Sequence, residues 1–112
     1  MQGKKTKAVF FAGVSGCFYP FTIYPFDANL PDTLSDIGTV YIFTSAAIHG
    51  QYKPLYIGET DSLTTPILNY EKWLCVVRKR GDCVGIYIED DAVARLQIKH
   101  DLTEQHNPPC ND

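Results

Sequence analysis

Between residues 40 and 63 the chain reads VYIFTSAAIHGQYKPLYIGETDSL. Two short apolar runs, 40–44 and 55–58, each carry a tyrosine, and a polar connection with Gly50 and Pro54 separates them. Runs of this length rich in Val, Ile and Tyr predict two β-strands joined as a hairpin. The second run breaks at Gly58 and passes through Glu59-Thr60-Asp61-Ser62 toward a helical stretch. A glycine at a strand end permits close approaches that a side chain forbids, so Tyr41, Tyr56 and Gly58 are candidates for the floor of a site. A further strand is predicted over 83–88, where Val84, Ile86 and Ile88 alternate with Cys83, Gly85 and Tyr87.

Helical spacing follows each of these regions. Thr65-Pro66 predicts a helix start, with threonine at the cap and proline in the first position, where its missing N–H does no harm. Ile67, Tyr70, Leu74 and Val77 then recur at helical steps with Trp73 beside them, and Arg78-Lys79-Arg80-Gly81 ends the segment. Cations suit the carbonyl end of the helix dipole, and glycine suits a left-handed cap. Glu89-Asp90-Asp91 predicts a turn and an acidic helix start. A second helix then runs from 92 to about 105, with Ala92, Leu96 and either Lys99 or His100 along one side, and Asn107-Pro108-Pro109 stops it.

Residues 8–26 are aromatic and β-forming, but Pro20 and Pro25 argue against a central strand, so one or two edge strands are predicted there. Residues 1–7 read as a basic, weakly ordered end, and 27–38 as a loop. A length of 112 residues suits one domain. Apolar content of 45% against 21% charged is ordinary for a globular chain. The net charge of −3 is unlike that of a protein whose main task is to coat nucleic acid. Cys17, Cys75, Cys83 and Cys110 form no CxxC pair and follow no secretory apolar stretch, which predicts a cytoplasmic protein with reduced thiols. No run is long enough to cross a bilayer, so no membrane partner is expected.

The set Thr39-Val40-Tyr41 and Tyr56-Ile57-Gly58-Glu59-Thr60-Asp61-Ser62-Leu63 resembles the paired motifs of the GIY-YIG nuclease superfamily. Gly58, Thr60 and Leu63 match the YIG-x-T-x-x-L continuation. The first motif is looser, with Thr39 where the family has glycine and Gly38 one residue early. A literal Gly85-Ile86-Tyr87 follows the YIG element and reads as part of another strand. The resemblance implies an α+β fold with a small, mostly antiparallel three-stranded core sheet flanked by helices. The core spans about 38–111, and the aromatic β segment at 8–37 is an extension.

Phosphodiester hydrolysis needs an activated water, charge stabilisation on the phosphate and usually a hard cation held by a carboxylate. The resemblance implies a site of Tyr41, Tyr56, Tyr70 and Asn111, the last in a terminal P-x-x-N. The family's arginine position is Pro66 and its metal-binding glutamate position is Lys99. Proline cannot make a guanidinium contact to phosphate, and lysine repels the cation it would have to bind. The expected function is therefore a catalytically inactive or severely impaired nuclease-like domain, retained to bind DNA, another nucleic acid or a protein partner without a cofactor. The alternatives are an active structure-specific endonuclease using Mg²⁺ or Mn²⁺ and a structural or inhibitory interaction domain. Glu71, Asp101 and Glu104 read as solvated helix charges, and His100, His106 and Cys110 match no familiar zinc spacing.

Overall fold

The computed structural model describes residues 7–26, 37–47, 49–62 and 70–111, with Tyr70 described in its backbone only. In chain order the elements are β1 (Lys7–Ala12), β2 (Phe18–Pro25), β3 (Thr39–Ser45), β4 (Pro54–Thr60), α1 (Tyr70–Arg78), β5 (Gly81–Ile88) and α2 (Ala92–His106). The strands form one antiparallel five-stranded sheet in the order β1-β2-β5-β3-β4. β3 lies inside the sheet between β5 and β4, and Thr39 through Thr44 are all buried. Its near-continuous β-branched and aromatic run is what a strand covered on both faces requires.

Strand alternation divides the core between the two faces. On one face Phe11, Phe21, Ile23, Val40, Ile42 and Ile57 pack with Ile98 and Leu102 of α2. On the other, Tyr41, Phe43, Leu55, Val84 and Ile86 pack with Val76 of α1 and with Cys110. A bulge in β4 puts Leu55 and Tyr56 on the same side, because Phe43 pairs with Tyr56 while Thr44 pairs with Pro54. Asp91 caps α2, its carboxylate accepting from Ala94 N at 2.8 Å, and Asn107 closes the helix in the left-handed conformation.

Several sequence expectations are revised. The expected three-stranded layer is continuous with two further strands, so residues 8–26 belong to the main sheet and do not form an appendage. β2 is an interior strand despite its prolines. Pro20 precedes Thr22, where the ladder to β5 begins, and Pro25 lies past the final β1–β2 pair, Lys7 with Ile23. Each proline thus lacks an N–H where the ladder needs none. On α2 the inward residues are Arg95, Ile98 and Leu102, whereas Leu96 is 54% exposed. Arg95 goes inward because the ion pair and carbonyls described below satisfy its guanidinium. On α1 the buried residue is Val76, with Val77 48% exposed. The left-handed position after α1 falls on Arg80, at φ 66°, because Gly81 already begins β5. A Cβ on Gly81 would stand 2.4 Å from Val76 Cγ1. The expected helix start at Thr65-Pro66 lies outside the described residues.

The thiol expectation also fails, since Cys75 and Cys110 are joined in a disulfide with Cα atoms 5.7 Å apart. Only the fold brings them together, by returning the tail after α2 along β4 beneath α1. Cys17 and Cys83 are free. Among the described residues no helix is long and apolar enough to cross a membrane.

Candidate functional site

Tyr41 of β3 stands directly opposite Gly58 of β4, and Tyr56 lies on the same face. The two phenol rings stack with centroids 6.2 Å apart and planes 27° from parallel. The missing Cβ at Gly58 is what admits this arrangement, because a methyl there would sit 2.4 Å from Tyr41 Oη. Phe43 meets the Tyr41 ring edge-on at 5.7 Å and completes the wall. Tyr41 is only 3% exposed. Burial holds its phenol well above the usual tyrosine range, with further contributions from the neighbouring Tyr56, hydrogen-bonded to it, and from Glu59. Tyr41 therefore keeps its proton at neutral pH.

A cation approaches this pair from α1, where Lys72 Nζ lies 5.9 Å from the centre of the Tyr56 ring. That distance places the ammonium within cation–π range of the ring. The half-buried Tyr56 phenol and the nearby ammonium offer donors to an anion with an aromatic group beside it, while Tyr41 is packed behind them.

Asn111 meets β4 in the plane of the sheet. Its Oδ1 accepts from Ile57 N and its Nδ2 donates to Ile57 O, both at 2.8 Å. Cys110 N donates to Leu55 O at 2.9 Å, so the tail occupies the outer edge of β4 as a short strand would. Asn111 thus holds the backbone between Tyr56 and Gly58, and its amide is committed to that task. The disulfide from Cys110 to Cys75 anchors the same tail to α1.

Lys99 is not brought to the tyrosines. It is carried by α2, which packs on the opposite face of the sheet. On that face Glu59 Oε1 and Arg95 Nε form a 2.8 Å ion pair, and Arg95 Nη1 donates to the carbonyls of Glu89 and Asp90. Gly38 is packed against this guanidinium, so the glycine preceding Thr39 serves the ion pair. Pro66 and the side chain of Tyr70 lie outside the described residues. Glu71 is exposed on α1 and Glu104 on α2. Asp101 accepts from Ser15 N, Ser15 Oγ and Tyr19 Oη, which ties α2 to the β1–β2 turn. His106 Nε2 donates to Ala12 O at 2.8 Å, and Cys110 is consumed in the disulfide, so the three residues weighed for zinc are not assembled.

Sequence reasoning missed Lys72, the Arg95–Glu59 pair and the tail's disulfide. Lys72 carries no signal beyond lying in a helix, where charge usually means a solvated face. The arginine is masked in the same way, although its position one helical turn before Ile98 and Leu102 places it on the inward stripe. Two open cavities, of about 820 and 480 Å³, lie elsewhere and include neither Tyr41 nor Tyr56. No family model matches the chain, and neither does any curated protein or solved structure.

Proposed function

We propose that the chain is a GIY-YIG-like domain with impaired or lost phosphodiester hydrolysis, acting as a module that binds nucleic acid at the Tyr41–Tyr56 face. The observation that carries this reading is the stacked phenol pair with Lys72 above it. The half-buried Tyr56 phenol, backed by buried Tyr41, is the ring available to stack on a base and donate to a phosphate oxygen, and an ammonium supplies the long-range attraction. The family's charged positions point the same way, since Pro66 offers no cation for the phosphate and Lys99 no carboxylate for a metal. With a net charge of −3 the attraction is local, so binding is weak and favours single strands, whose bases are free to stack.

Fluorescence anisotropy with labelled single- and double-stranded oligonucleotides at two salt concentrations tests the binding. The single strand is expected to bind more tightly and to weaken with salt, with Lys72→Glu reducing affinity roughly tenfold. Parallel incubation with plasmid and Mg²⁺ or Mn²⁺ is expected to leave the plasmid intact. Robust cutting that disappears in Tyr56→Phe overturns the inactive reading, and salt-independent binding or none overturns the nucleic-acid reading.

A further inference from the structure

We infer that the groove between the free edge of β1 and the β3–β4 connection is a strand-addition site for an extended, apolar peptide carrying negative charge. It goes beyond the reading above and uses different residues. The two edges of the sheet are treated differently. β4 is closed by the tail through Cys110 and Asn111, whereas β2 is the one strand of the sheet that pairs with β1 among the described residues, and Gln51 of the β3–β4 connection makes an isolated bridge.

The direction of the β1 backbone groups follows from the register. Gly13 N donates to Cys17 O across the turn, and in an antiparallel ladder every second residue then faces the partner strand. Phe11 and Val9 therefore direct their N–H and C=O groups to β2, and Ala12, Phe10 and Ala8 direct theirs outward. The hydrogen bond from His106 Nε2 to Ala12 O confirms the parity, because it reaches β1 from outside the ladder. Among the described residues the outward N–H and C=O groups of Ala8 and Phe10 have no partner. Unpaired strand groups beside exposed apolar side chains are a template for another strand.

Phe10 lies on the wall of the cavity of about 820 Å³, and Ala8 continues the same edge just beyond it. Four consecutive β1 residues, Val9 to Ala12, line it. A strand that offered only a face would contribute alternate residues, so the cavity takes the strand edge-on. Phe10 and Phe18, 63% and 67% exposed, flank the edge, and Tyr52 stands across from it. Pockets for alternate side chains of an added strand are thus present on both sides of its backbone.

Charge selects the occupant. The lining includes the ammonium of Lys53 and, among the described residues, no carboxylate, although acidic residues outnumber basic ones in the chain as a whole. A peptide with apolar residues at every second position and carboxylates between them matches both the aromatic flanks and the Lys53 ammonium.

The test uses the full chain and a fluorescein-labelled hexapeptide of alternating valine and glutamate. Two control peptides accompany it, one N-methylated on alternate amides and one with lysine in place of glutamate. The valine–glutamate peptide is expected to bind saturably, and Ala8 and Phe10 amides to exchange more slowly when it does. N-methylation and the lysine exchange are each expected to weaken binding at least about tenfold, and Lys53→Glu, on an exposed connection, about fivefold. Absence of saturable binding up to about 1 mM overturns the inference, as does equal binding of the N-methylated peptide, which would signal side-chain capture without a ladder. Loss of peptide binding in Lys72→Glu, a residue on the other face, would also overturn it by moving the peptide to the tyrosine site.

Discussion

Thr39 and Thr44 sit near the two ends of β3, fully covered, and among the described residues neither hydroxyl has a hydrogen-bond partner. A buried hydroxyl without a partner carries its desolvation cost uncompensated, about 1–3 kcal/mol. Thr44→Val keeps the β-branched shape and removes that cost, so stability is expected to rise by roughly 1 kcal/mol. The readout is a higher urea midpoint at unchanged slope, and a lower midpoint would mean that the hydroxyl is paired. Gly58 is the opposite case, a position where adding atoms is harmful. The Cβ of Gly58→Ala would press on the Tyr41 phenol, which Phe43 and Tyr56 hold from the side, at an expected cost of about 1–3 kcal/mol and with weaker oligonucleotide binding. Unchanged stability and affinity in Gly58→Ala would show that the phenol has room to move. The placement of Tyr41, Tyr56 and Gly58 together on one face was legible in the sequence because alternation and a strand-end glycine mark them. Lys72 was not, since its distance from Tyr56 depends on the β4 bulge, which no local pattern announces.

At the scale of elements, β3, β4, β5 and α2 were readable from periodicity and capping residues, while the inward faces of both helices were misjudged. Apolar residues outnumber inward positions on these helices, and a buried arginine displaces Leu96 from the inward stripe. The pairing of Cys75 with Cys110 was equally out of reach, because it joins a helix to a tail that meets it only through β4. That tether lies across 35 residues, and closing a loop of that length removes unfolded-state entropy worth roughly 3–4 kcal/mol. Alkylation of the native protein at about pH 8 without reductant is therefore expected to add two groups only. Cys17, exposed, reacts quickly. Cys83 reacts slowly, since burial, followed by the nearby Asp82, pushes its thiol up to about 11. Two further groups are expected after reduction in denaturant. Rapid addition of all four to the native, unreduced chain would show that the tail is not tethered, and the edge of β4 would then be as open as that of β1.

On the scale of the whole molecule, the N-terminal hairpin has to be attached to the helical layer, and a single carboxylate supplies much of that attachment. Asp101 of α2 receives Ser15 N at 2.9 Å, Ser15 Oγ at 2.7 Å and Tyr19 Oη at 2.8 Å, and Val14 N donates to Asp101 O at 3.1 Å. Gly13 makes the approach possible, because a Cβ there would collide with the carboxylate. The hydrogen bond from the Ser15 hydroxyl holds the Asp101 carboxyl below its usual range, with Tyr19 adding to it. Burial, and after it the same carboxylate, holds the Tyr19 phenol above its own range. A depressed carboxyl means that the folded chain binds fewer protons than the unfolded chain through that pH range. The stabilisation is therefore complete above the unfolded carboxylate range and is lost as pH falls through the folded value. Asp101→Asn cannot satisfy three donors as a carboxylate does and is expected to cost roughly 1–2 kcal/mol at neutral pH. Because the parent loses the same interaction in acid, the two denaturation midpoints should converge as pH falls through the lowered range of that carboxyl. A gap of constant size from neutral pH into acid would mean that the aspartate contributes through packing, and that the hairpin is held to α2 by its apolar contacts instead of by this charge.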